Sequence, residues 1–149
     1  MGFFSNIKHK QIKSFTKGAC GSLFLGFGIA EAEIQSGKLE AKMHSDLVAK
    51  ALSTRPGWKI VEKNIFEYKD GRQRKITEDD SLADVVHDVC FMEMKRFIEN
   101  DNKPGEVIGI ILEEIMNFFK MQDSEWDEFV RKKMKEGWYV ADMWSQTKY

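Results

Sequence analysis

The fold class is decided by residues 59–77, which read KIVEKNIFEYKDGRQRKIT. Branched and aromatic residues, which favour strands, alternate here with charged residues on both sides of Asp70-Gly71. An Asp-Gly pair between two such runs is a strong signal for a tight turn between antiparallel strands. The stretch therefore predicts a β-hairpin with strands over residues 59–69 and 72–77.

The turn also predicts how the two strands are paired. A two-residue loop at Asp70-Gly71 places three pairs opposite one another: Lys69 with Arg72, Glu67 with Arg74, and Ile65 with Ile76. The last two pairs are complementary by charge and by apolar contact, which supports this register. Because two strands alone are only marginally stable, we expect helices to cover one face of the hairpin.

Helical periodicity is present on both sides of the hairpin. Capping residues mark the helix ends, for example Ser81 with Asp84 three positions later. The predicted helical segments span residues 4–15, 19–30, 39–53, 81–100, 106–121 and 124–136. The segment that begins at Glu106 is the most apolar, so we expect it at the centre of the core.

The chain is therefore predicted to have a mainly α, α+β fold with a single compact domain over residues 1–149. Five or six helices are expected, and one β-hairpin at about residues 59–77 is inserted after the second or third helix. A length of 149 residues suits one domain with a sizeable core. Residues 1–17 are predicted to form a basic amphipathic N-terminal segment, and residues 138–149 an aromatic C-terminal tail.

Charge is distributed unevenly along the chain. Residues 1–77 carry 14 Lys and Arg against 7 Asp and Glu, whereas residues 78–149 carry 9 against 17. The two halves nearly cancel, which leaves a net charge of −1. Such an asymmetry favours a charged partner or pairing between two copies of the chain. We expect another protein as the partner, with a homodimer and nucleic acid as the other options.

The N-terminal residues leave two localisations open. Basic residues precede an apolar run of 12 residues at 19–30, which is the order of a secretory signal peptide. Glycines interrupt this run, and it is too short for a membrane span, which needs about 20 residues. Two cysteines, Cys20 and Cys90, are too few for a disulfide framework and favour a reducing compartment. The sequence thus favours a cytoplasmic protein, and export with residues 1–32 as a signal is the alternative.

The sequence lacks the short motifs of well-known catalytic and cofactor sites. It contains no nucleophile elbow, no Walker loop and no paired C-x-x-C. This favours a protein that is not an enzyme and that needs no cofactor.

Three polar residues are candidates for burial: Glu93, Arg96 and His44. Glu93 projects into the apolar stripe of its helix, and Arg96 lies near the edge of that stripe. A carboxylate in such a position needs a cation or a raised pKa. We interpret Glu93 as half of a structural ion pair with Arg96 or another basic residue, and a ligand cleft or subunit contact is the alternative. His44 projects among apolar residues and is interpreted as a hydrogen-bonded core histidine.

Asp84, His87 and Asp88 share the opposite side of the same predicted helix. Two carboxylates and an imidazole at this spacing form half of the metal site seen in di-iron helical bundles. The second half is missing, because Glu40 and His44 are four positions apart instead of three. An acidic, solvated surface near a helix N-terminus is therefore the favoured interpretation, with a bound metal ion as the alternative.

Two basic patches complete the candidate surfaces. One lies on the second hairpin strand, and the other is the run Arg131, Lys132, Lys133 and Lys135 just before the aromatic tail. Basic residues interleaved with aromatic ones suit nucleic acids, whereas aromatic residues and Arg also dominate protein interfaces. The predicted contact surface consists of Arg72, Arg74, Lys75, Trp138, Tyr139 and Trp144.

These features together favour a small non-catalytic protein-interaction module, such as a regulator, adaptor, inhibitor or immunity-type protein. A metal-binding helical protein and a nucleic-acid-binding protein are the alternatives. The first would use the cluster of Asp84, His87 and Asp88, and the second the two basic patches.

Overall fold

The computed structural model describes residues 2–27, 45–100, 104–120 and 122–139. Over these ranges the chain is mainly helical, with one small antiparallel sheet between helices. The predicted mainly α, α+β fold class is therefore confirmed. The predictions for His44 and Trp144 lie outside the described residues.

Six helices lie within the described residues. They are α1 (Gly2–Phe27), α2 (Ser45–Ser53), α3 (Leu82–Glu93), α4 (Lys95–Glu99), α5 (Pro104–Phe119) and α6 (Asp123–Lys135). Helix α1 is continuous where two segments were predicted. The predicted helix over 81–100 is instead two helices, because Met94 has φ −95° and ψ 6° and interrupts it.

Helix α3 begins as its sequence predicts. Ser81 is extended, and its hydroxyl accepts a hydrogen bond from the Asp84 backbone N–H at 3.2 Å. In return, Asp84 Oδ2 accepts from the Ser81 backbone N–H at 2.8 Å. This reciprocal capping box satisfies two backbone donors that a helix N-terminus otherwise leaves unpaired.

The sheet has three strands in the order β1-β2-β3. They are β1 (Trp58–Glu62), β2 (Ile65–Tyr68) and β3 (Gln73–Lys75). The first predicted strand is thus two strands, and the chain reverses between them at Asn64, which has φ 66°. Asn adopts this left-handed conformation more readily than most residues, so Asn64 is the residue in the sequence that indicates this turn.

The predicted register of the second hairpin is wrong by one residue. The observed pairs between β2 and β3 are Ile65 with Lys75, Phe66 with Arg74, and Glu67 with Gln73. The loop has three residues instead of two, because the Tyr68 N–H donates to the Arg72 carbonyl at 2.9 Å and Gly71 has φ +91°. A shift of one residue moves every side chain to the opposite face of a strand. Arg74 therefore lies on the same face as the buried Phe66.

Helix α5 lies at the centre of the helical core, as its apolar sequence predicts. It packs against α1, α3 and α4. Its buried apolar side chains are Val107, Ile108, Ile111, Leu112, Ile115 and Phe119. The sheet adds Phe66 and Trp58, whose rings meet edge to face with centroids 5.3 Å apart. Among the described residues, no helix is both long and apolar enough to cross a membrane.

The three-residue loop makes a testable prediction at Gly71. A Cβ there meets no neighbouring atom, so the positive φ alone opposes a side chain. We expect Gly71→Ala to lower the free energy of unfolding by about 1 kcal/mol in urea denaturation. Gly18→Ala in α1 is the matched control, since its Cβ also meets no atom but its backbone is helical. It should raise stability by about 0.5–1 kcal/mol. Equal effects of the two substitutions would contradict the assigned loop.

Candidate functional site

The charged residues of α3 meet β3 and α6 inside the protein. Asp88 Oδ2 accepts a hydrogen bond from Arg74 Nε at 2.6 Å, and its Oδ1 accepts from Lys133 Nζ at 3.0 Å. The neighbouring His87 contacts the same Oδ1 through Nδ1 at 2.8 Å. The side chains of Asp88, His87 and Lys133 are fully buried. One carboxylate thus joins three elements, and we call this set and its ionic partners the ion network.

A second carboxylate, Asp84, extends the ion network to the start of α3. Its Oδ1 lies 2.9 Å from Lys133 Nζ, and its Oδ2 accepts from Lys132 Nζ at 2.9 Å. Burial alone would raise the pKa of Asp84, but the Lys133 ammonium and the Ser81 backbone N–H outweigh burial and lower the pKa to about 2. The capping residue of α3 is therefore also an anchor for α6.

On the sheet side, Arg74 lies between two carboxylates. Its Nη1 and Nη2 donate to Asp80 at 2.9 and 2.6 Å, while its Nε donates to Asp88. Asp80 is held in turn by the Thr77 backbone N–H at 2.7 Å. The pKa of Arg74 is raised, because its two carboxylate partners outweigh the effect of burial. This planar, two-sided arrangement uses the geometry that distinguishes Arg from Lys.

Burial and ionic contacts compete within the ion network, and the contacts determine the direction of the pKa shift at Asp84, Asp88, Arg74 and Lys133. Burial would raise the pKa of Asp88, but its contacts with His87, Lys133 and Arg74 lower it. Burial would lower the pKa of Lys133, but Asp88 and Asp84 raise it. These charges therefore stay ionised despite their burial, because each has an opposite charge at contact distance.

His87 behaves differently, since burial lowers its pKa despite the contact with Asp88. The imidazole is therefore neutral, and its contact with Asp88 assigns the proton to Nδ1. Its ring stacks on Phe91 with centroids 4.3 Å apart and meets Phe129 and Trp138 edge to face. Among the described residues, Nε2 has no hydrogen-bond partner. His87 thus lies between the ion network and an aromatic cluster.

The structure places the predicted metal residues in the interior instead of on a solvated acidic surface. Asp84, His87 and Asp88 are buried. One oxygen of each of the two carboxylates contacts the Lys133 ammonium. Within the part of the chain that is described, no group of three or more His, Cys, Asp or Glu residues is arranged to hold a metal ion. The expectation of a solvated surface is wrong because α6 covers this side of α3, and the sequence did not indicate that packing. Metal binding itself stays a prediction.

Among the described residues of the predicted contact surface, some are exposed and others are buried. Tyr139 is only 2% exposed, and Trp138 is half-buried against His87 and Phe91. Arg74 belongs to the ion network. Arg72 donates to the Met92 carbonyl at 2.6 Å and to Asp70, whereas Lys75 is exposed. Their roles in binding stay predictions, but only part of the set is accessible.

The basic run of α6 is divided between the interior and a groove. Lys132 and Lys133 take part in the ion network. An open groove of about 1010 Å³ lies between α6 and the start of α3. Its charged lining mixes Arg131, Lys132 and Lys135 with Glu125, Asp127 and Glu128. A lining of both signs is a poor match for the uniform negative charge of a nucleic acid.

Glu93 is half of an ion pair, as the favoured interpretation expected, but its partner comes from a distant part of the sequence. Arg55 Nε donates to Glu93 Oε2 at 2.7 Å, and a second contact joins Arg55 Nη2 to Oε1. The Trp58 indole also donates to Oε2 at 2.7 Å. The Glu93 hydrogen bond raises the pKa of Arg55. Arg96 is exposed, so it is not the partner.

This geometry predicts a large cost for Glu93→Gln. The pair is mostly buried, with 12% of the Arg55 side chain and 6% of the Glu93 side chain exposed. We expect the substitution to lower the free energy of unfolding by about 2–3 kcal/mol, because the Arg55 charge loses its counterion. Glu99→Gln is the control, since the Glu99 side chain is 58% exposed and pairs with Lys95 at 3.8 Å. Its cost should stay below about 0.5 kcal/mol. Similar costs for both would contradict a buried role for Glu93.

Asp84 makes a prediction for acid stability. Its folded pKa of about 2 lies below the ordinary value of 3.8, so its stabilising effect is complete above about pH 4 and is lost as the pH falls towards 2. The difference in unfolding free energy between the wild type and Asp84→Asn should be about 2 kcal/mol at pH 6 and near zero at pH 2. Urea denaturation across this range measures it. Asp79→Asn, at an exposed position, is the control, and its unfolding free energy should follow that of the wild type across this pH range. A difference between the wild type and Asp84→Asn that does not change with pH would refute the lowered pKa of Asp84.

Known proteins add no assignment to this site. No family model, no curated protein and no solved structure matches the chain.

Proposed function

We propose that this chain is a small non-catalytic protein-interaction module whose contact surface is centred on β1. The observation that carries the proposal is the exposure of two consecutive apolar residues on that strand. Ile60 is 39% exposed and Val61 is 38% exposed. Large apolar side chains at the edge of a sheet are a liability unless a partner covers them.

The position of β1 in the sheet supports this proposal. In the order β1-β2-β3, β1 pairs with β2 on one side, and no described strand pairs with its other side. Its backbone groups on that side are therefore placed to accept an additional strand from a partner. The register shift between Ile60 and Glu62 adds a local bulge, which shapes the edge and restricts the strands that fit it.

The charged residues around β1 also suit a protein partner. Lys59 pairs with Glu67 at 3.0 Å, and Gln73 donates to the same Glu67 at 3.1 Å. The outward face of the sheet is thus a polar row beside an apolar edge, which resembles the polar rim and apolar centre of protein interfaces. Lys75 adds an exposed positive charge on β3.

The interior also supports a role that is not catalytic. The ionisable groups with shifted pKa values in the ion network contact one another and are buried instead of facing an open cleft. Shifted pKa values mark active sites only when substrate can reach them, and structural ion networks produce the same shifts.

Affinity capture with variants of β1 tests the proposal. The tagged protein is used to capture partners from lysate of its own cells, with and without nuclease, and compared with an Ile60→Lys, Val61→Lys double variant. Phe97→Lys is the control, because Phe97 is also exposed, at 45%, but belongs to α4 and not to the sheet. Circular dichroism and urea denaturation confirm that each variant is folded.

The proposal predicts that a partner protein is captured in stoichiometric amount both with and without nuclease. Its recovery should fall at least about tenfold with the β1 variant and stay unchanged with the Phe97 variant. A second copy of the chain is one form of that partner, and sedimentation of the purified protein would detect it. Equal recovery of the partner with both variants, or captured material that is lost after nuclease treatment, would contradict the proposal.

A further inference from the structure

Two cysteines from distant parts of the sequence meet in the core. Cys20 of α1 and Cys90 of α3 are both fully buried, and α1 packs directly against α3. The two thiols are close enough that Cys20 has the largest effect on the pKa of Cys90, which it raises, and the structure holds both as free thiols. Buried cysteines usually act as small apolar residues, but two neighbouring thiols across a helix interface have a further chemistry.

We propose that Cys20 and Cys90 are a dithiol that closes to a disulfide between α1 and α3 under oxidising conditions. The oxidant is a low-molecular-weight disulfide. One protein thiolate attacks it and releases one small thiol, and the second protein thiolate then attacks the mixed disulfide and releases the other. The two cysteines lose two electrons and two protons, and the oxidant becomes two thiols.

Folding favours the Cys20–Cys90 disulfide over the two free thiols. The two residues are about 70 positions apart in sequence, so a disulfide between them restricts a long loop of the unfolded chain. In the folded protein, α1 and α3 already hold the thiols together. Folding therefore raises the effective concentration of one thiol for the other, and by linkage the disulfide stabilises the fold.

The surroundings of the pair also predict slow oxidation. The contact with Cys20, together with burial, raises the pKa of Cys90, so little thiolate is present near neutral pH. Glu93 and Arg55 also act on the Cys90 pKa, in opposite directions, which places their ion pair close to the thiols. Because that pair is mostly buried itself, the oxidant reaches the thiols only when the structure opens locally.

The test uses the full-length protein equilibrated with reduced and oxidised glutathione. Equilibrium is approached from the reduced protein and from protein oxidised in urea and then refolded, and intact mass and peptide mapping measure the disulfide. We expect the equilibrium constant for the Cys20–Cys90 disulfide to be at least about tenfold larger in native buffer than in urea. Cys20→Ser and Cys90→Ser should yield no intramolecular bond.

Two further readouts separate slow chemistry from unsuitable geometry. If the reduced protein oxidises too slowly to reach equilibrium, the protein that was oxidised in urea and refolded provides the test. Its midpoint of urea denaturation should be higher than that of the reduced form. Glu93→Gln should oxidise faster than the wild type, whereas the control Glu99→Gln should not. An equilibrium constant in native buffer equal to or below that in urea, an oxidised form that unfolds at lower urea, or glutathione adducts in place of the internal bond would each overturn the proposal.

Discussion

The carboxylate of Asp88 receives Arg74 from β3, Lys133 from α6 and the adjacent His87, with no exposed surface of its own. A buried charge is tolerated only when opposite charges and hydrogen bonds surround it, so none of these three elements can move away alone. The sheet, α3 and α6 are therefore held in one arrangement. Apolar packing around α5 supplies most of the burial, and the ion network specifies how the remaining elements meet it.

The same principle applies along the length of α3. Near its start Asp84 holds Lys132 and Lys133, in the middle Asp88 holds Arg74, and at its end Glu93 holds Arg55. The sheet and the turn before it thus contact this helix through Arg74 and Arg55. These charges are used to maintain the fold, which leaves the surface, and the edge of β1 in particular, as the region for the proposed function.

Local signals predicted the elements that local forces determine. The capping box at Ser81, the apolar α5 and the turn near Gly71 were all visible in the sequence, because neighbouring residues create them. The partners of the buried charges were not visible. Lys133 lies 45 residues from Asp88, and Arg55 lies 38 residues from Glu93, so only tertiary packing brings them together. The burial of Arg74 beside Asp88 was not predicted either, because the loop is one residue longer than expected. Loop length determines which face of β3 the Arg74 side chain occupies.

A double-mutant cycle between Asp88 and Lys133 tests the account most directly. Asp88→Asn, Lys133→Met and the double variant are compared with the wild type by urea denaturation at neutral pH. If the ion network organises the fold, each single substitution takes one opposite charge away from a buried partner, which keeps only its other ionic contacts. The two effects are then coupled by about 2 kcal/mol or more. Effects that add to within about 0.5 kcal/mol would show that the two side chains act independently and would contradict the account.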